Sequence, residues 1–122
     1  MEIDLIRTFC NSLFAVTEDI KWGNDLCFSI GGKMFCVVGL EEPISVSFKV
    51  RDDQFETISL QEGFDPAPYV ARYNWVLVRD VARLSRNELH DFIRQSYQLV
   101  KDRLPKKLLI KLGTPPQEKE ES

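Results

Sequence analysis

The sequence predicts a single α+β domain built on an antiparallel sheet. Three observations carry this. Residues 44–50 (ISVSFKV) alternate apolar and polar, which is a strand with one wet face. Gly31-Gly32 separates two strand-like runs, as a two-residue hairpin turn does. Apolar stripes at helical spacing stand near both ends of the chain. With 122 residues, 43% apolar and 29% charged, the chain suits one globular core. Residues 1–113 are expected to form the domain, and the polar 114–122 a disordered tail.

The first helix is predicted over 3–13, where Ile3, Ile6, Phe9, Cys10 and Leu13 share a face and Glu2 and Asp4 suit the N-terminal dipole. Residues 17–25 read as a turn region, with Trp22 between helix and sheet. Both central residues of a type I′ turn need φ > 0, which Gly31 and Gly32 supply. An unbroken register from that turn sets Phe28 opposite Phe35 and Cys27 opposite Cys36. Leu26, Phe28, Phe35 and Val37 then face the core. In the 44–50 strand, Ile44, Val46, Phe48 and Val50 point inward. A short helix follows, capped by Asp52 or Asp53, with Phe55 and Ile58 on one side.

Gly63, Pro66 and Pro68 make 61–74 a loop, with at most a helical turn near Tyr73. Residues 74–80 form a strand. Ser85 and Glu88 match a capping box, and Leu89, Phe92, Ile93, Tyr97 and Val100 line the helix behind it. Pro105 ends that helix, and Gly113 closes a further helical turn.

The chemistry of catalysis is sparse. One histidine, His90, sits beside the apolar stripe with no nucleophile elbow, and is expected to be exposed or at a boundary. The glycines before Lys33 lie between strands rather than before a helix, so they are not a phosphate loop. Cys10, Cys27 and Cys36 form no disulfide framework or metal knuckle, and the cross-strand Cys27–Cys36 pair is their one redox candidate. No apolar run is long enough for a membrane helix, and residues 1–9 lack a secretory pattern; a cytoplasmic protein without metal, cofactor or enzymatic activity is expected.

The net charge is −3, which argues against a chain devoted to phosphate. The distribution is uneven. Residues 101–111 carry five bases and one acid, on an otherwise acidic body.

Lys21-Trp22-Gly23, the hairpin residues 31–35, the strand residues 46–50, Ala67-Pro68-Tyr69, Asn74-Trp75-Val76, Ser96-Tyr97, Val100 and residues 104–107 follow one another in a characteristic series. Through that series the chain resembles the MmcQ/YjbR family over about residues 1–112. The resemblance implies a CyaY-like α+β fold, an antiparallel sheet with an N-terminal helix and C-terminal helices on one face. It also implies DNA binding through a double-wing arrangement of sheet and hairpins.

For such binding the candidate cations are Lys21, Lys33, Lys49, Arg72, Lys106, Lys107 and Lys111, contacting phosphates without regard to sequence. Trp22, Tyr69 and Trp75 are candidate base-stacking residues. The rival reading is a protein–protein adaptor, with Tyr69 and Tyr73 of the Pro-Ala-Pro-Tyr loop as anchors. A frataxin-like iron handler is disfavoured, because Glu2, Asp4, Glu18 and Asp19 are too few for an acidic ridge.

Overall fold

A computed structural model describes residues 2–68 and 70–113. Helix α1 (Glu2–Asn11) leads into β1 (Val16–Lys21), β2 (Asp25–Ile30), β3 (Lys33–Gly39) and β4 (Ser45–Lys49). After α2 (Asp52–Ser59) come β5 (Phe64–Pro66), a 3₁₀ turn (Ala71–Tyr73), β6 (Trp75–Val78) and a second 3₁₀ turn (Val81–Arg83). Helices α3 (Arg86–Asp102) and α4 (Lys106–Leu112) complete the described chain. The expected tail, 114–122, lies outside the described residues.

The six strands form one antiparallel sheet in the order β1-β2-β3-β4-β6-β5. The helices pack on one face. Ile6 and Cys10 of α1, Ile58 of α2, and Leu89, Ile93, Tyr97 and Val100 of α3 share a core with Phe28, Phe35 and Phe48 of the sheet. Burying each of these phenylalanines stabilises the fold by about 1.5–3 kcal/mol. The α+β class, the alternation of β4 and the stripe of α3 follow the sequence pattern. The capping box forms as expected. Ser85 Oγ accepts from the Glu88 amide at 3.1 Å, and Glu88 Oε1 accepts from the Ser85 amide at 2.9 Å.

Three expectations are corrected. Residues 16–21 form a strand, not a turn. Thr17, Glu18, Asp19 and Lys21 hide it from hydropathy patterning, and main-chain pairing to β2 along its whole length makes it an edge strand rich in charge. The loop 61–74 contains the short strand β5, paired with β6 despite Pro66 at its end. Arg51, not Asp52 or Asp53, occupies the N-cap of α2, and its amide donates to Gln54 Oε1 at 2.9 Å.

The hairpin register also differs. Gly31 and Gly32 take φ of 59° and 81°, and Ile30 faces Lys33 as expected. Beyond Ser29 and Met34 the register shifts, so that Phe28 faces Cys36 and Cys27 faces Val37. Phe35 is the extra residue of a β-bulge. The slip moves Cys36 and Val38 into the core and puts Val37 on the other face with Met34. Gly31 also touches the helices, since a Cβ there would lie 2.9 Å from Leu104 Cδ1 and 3.1 Å from Leu108 Cδ2.

Candidate functional site

Strand direction fixes two ends of the sheet. One end carries the Gly31-Gly32 turn, the close of β4 at Lys49 and the start of β6 at Trp75, since Lys49 pairs with Trp75. The last turn of α3 and the first of α4 lie over the same end, because Leu104 and Leu108 meet Gly31. The opposite end carries the β1–β2 turn and the β3–β4 connection.

This topology gathers six of the seven candidate cations. Lys33 stands beside the glycine turn, and Lys106, Lys107 and Lys111 are exposed on α4 above it. The ammonium of Lys49 donates to the Tyr73 carbonyl at 2.5 Å, which ties in the 3₁₀ turn bearing Arg72. Burial lowers the Lys49 pKa, and the nearby Arg103 guanidinium lowers it further, with Asp52 acting the other way. Arg103, the C-cap residue of α3, is a member of the group that sequence reasoning passed over. Its place in the basic run 101–111 was the available signal. Lys21 belongs elsewhere. It stands opposite Asp25 in the strand register, at the other end of the sheet, because β1 runs antiparallel to β2.

Among the described residues the ion pairs are Arg7–Glu18, Arg51–Asp53, Arg79–Asp65, Arg83–Glu62 and Arg94–Asp91. None uses Lys33, Lys49, Arg72, Arg103, Lys106, Lys107 or Lys111. Acids stand at both ends: Asp52, which accepts from Asn74, and Asp102, which accepts from Gln98, lie near the basic end, and others lie at the far end. Glu41 accepts from Asn24, Asp80 caps the 3₁₀ turn docked on the Ile44 carbonyl, and Glu88 opens α3.

The sheet face away from the helices bears a groove of about 640 Å³. Met34, Val37 and Leu77 line it, with Trp22 and Trp75 among its walls. Trp75 is 7% exposed and Trp22 is 69% exposed. Of the Pro-Ala-Pro-Tyr loop, Ala67 is buried and its amide donates to the Trp75 carbonyl at 3.0 Å. Tyr69 lies outside the described residues. Tyr73 is 52% exposed, with the Arg72 guanidinium 4.9 Å from its ring centroid.

The cysteines do not pair as expected. The bulge turns Cys36 toward Cys10 of α1, and their contact, together with burial, pushes the Cys36 thiol up. Cys27 faces Val37, and burial raises its pKa. Both shifts oppose thiolate formation. His90 stacks on Phe9 with centroids 4.1 Å apart, a boundary position, and burial followed by Arg86 and Arg94 lowers its pKa. Among the described residues no three His, Cys, Asp or Glu side chains gather to hold a metal, and no helix is long and apolar enough to cross a membrane.

The sequence model of the YjbR family matches residues 11–99. The chain is similar to protein DR2400 of Deinococcus radiodurans, a solved structure with the domain DUF419. The TM-score is 0.82 at 23% identity, covering 93% of this chain and 88% of that one. A solved protein from Pseudomonas syringae superposes with a TM-score of 0.68 at 17% identity, covering 82% of this chain and 99% of that one. These likenesses show the fold. No curated protein matches the chain.

Proposed function

Since the chain belongs to the YjbR family, we propose that it is a non-enzymatic DNA-binding module whose basic end holds the phosphate backbone without reading sequence. The observation that carries this is the set of cations at the Gly31 end that, among the described residues, enter no ion pair: Lys33, Arg72, Arg103, Lys106 and Lys107, with Lys49 beneath them. Phosphates need fixed positive charge, and lysines free of ion pairs offer it without first breaking a contact. The chain's net charge of −3 is a total, and residues 101–111 at this end carry five bases and one acid. Such a local excess of positive charge orients an approaching polyanion toward it.

The adaptor reading draws on Tyr73, whose ring is exposed. Its carbonyl instead serves the basic end by holding Lys49. The two readings separate in one titration. Binding of labelled duplexes of unrelated sequence is compared between the wild type and the double variant Lys106→Glu, Lys107→Glu. Equal weakening on every duplex supports phosphate contact. Unchanged affinity in a folded double variant rejects it.

A further inference from the structure

We propose that the groove on the open sheet face receives an unpaired base, so that the preferred ligand is single-stranded nucleic acid; this rests on the phosphate-binding reading. Both tryptophans of the chain line the groove. Trp22 takes φ of 53°, a conformation that costs a bulky residue free energy, and it holds its ring largely in solvent. A ring kept exposed in a strained turn, at the wall of an apolar groove, suits a flat aromatic partner.

The floor has the matching shape. Ser45, Ser47 and Gly39 are small, and they leave open space between Met34, Val37 and Leu77. The volume lies within the range of sites that enclose small organic groups. The serine hydroxyls and the Asp25 carboxylate supply acceptors for the N–H edges of a base.

The groove is also continuous with the cations. Lys49 pairs in register with Trp75, so its side chain leaves the sheet on the groove's face. The groove runs from Trp75, beside Lys49, to Trp22 at the other end of the sheet, so a strand whose phosphate meets Lys49 and Arg72 lays a following base against Trp22. A duplex keeps its bases stacked and paired, and has none to offer. A single strand offers each base's π-face, and one base–aromatic stack changes affinity by about tenfold.

The experiment follows tryptophan emission at low salt. Its ligands are oligo(dT), an abasic strand of equal length, a duplex, and free thymidine monophosphate. Oligo(dT) is expected to quench the emission and to bind about tenfold more tightly than the abasic strand. Trp22→Ala removes that advantage and leaves abasic binding unchanged. Ser47→Phe, which fills the floor, does the same. Equal binding of oligo(dT) and the abasic strand overturns the groove proposal and leaves phosphate binding standing. Duplex binding as tight as oligo(dT) overturns it too, as does free monophosphate binding as tightly as the strand. Failure of all four ligands to bind removes both readings.

Discussion

The hydroxyl of Ser96 donates to the carbonyl of Phe35 at 2.6 Å. The same oxygen accepts from the Lys49 amide at 2.9 Å. Phe35 is the bulged residue of β3, so its carbonyl falls outside the ladder, and Lys49 closes β4. One fully buried helix side chain thus joins two strands where their pairing lapses, and it fixes the end of the sheet that carries Lys33 and Lys49. Ser96→Ala leaves the buried Phe35 carbonyl and the partly buried Lys49 amide without this partner. The expected loss is about 1–3 kcal/mol in urea unfolding. A loss below the error of the measurement would show that water takes the hydroxyl's place.

Glu18 links α1 to the edge strand β1. Its carboxylate accepts from Asn11 at 2.7 Å and pairs with Arg7 at 2.9 Å. The Asn11 hydrogen bond, then Arg7, hold its pKa below the ordinary 4.5. A carboxylate whose pKa falls on folding stabilises the native state above 4.5, and that contribution disappears as pH drops through the folded value. Glu18→Gln should therefore flatten the acid limb of the stability curve below pH 4.5. An unaltered limb would assign acid sensitivity to other groups.

Arg103 and Lys21 make a matched pair of tests. Both are cations near the end of an element, but they lie at opposite ends of the sheet. Arg103→Glu should weaken duplex binding several-fold, while Lys21→Glu should leave it within about twofold, as expected for a charge beyond the screening length. Equal effects from the two reversals, measured by anisotropy, would mean that charge acts only through the total.

The fold class was legible because period-2 and period-3.6 patterns are strong in β4 and α3, and because the Gly31-Gly32 turn has one favoured geometry. What escaped the pattern was non-local. A β-bulge at Phe35 leaves no mark in composition, yet it exchanged the faces of Val37 and Val38 and separated Cys27 from Cys36. Strand β1 is held by backbone pairing and by Glu18 rather than by an apolar stripe. The cations could be named from the sequence. Their convergence could not, because it depends on strand direction and on Leu104 and Leu108 closing over Gly31. The same dependence excluded Lys21 and brought in Arg103.

The most direct measurement is the salt dependence of duplex affinity. Each phosphate contact contributes about −0.9 to the slope of log K against log salt, so several cations acting together predict a slope steeper than about −3. The Lys106→Glu, Lys107→Glu variant should be shallower by about 2. A slope near zero, or one that the double variant leaves unchanged, would contradict a phosphate-binding role for the Gly31 end.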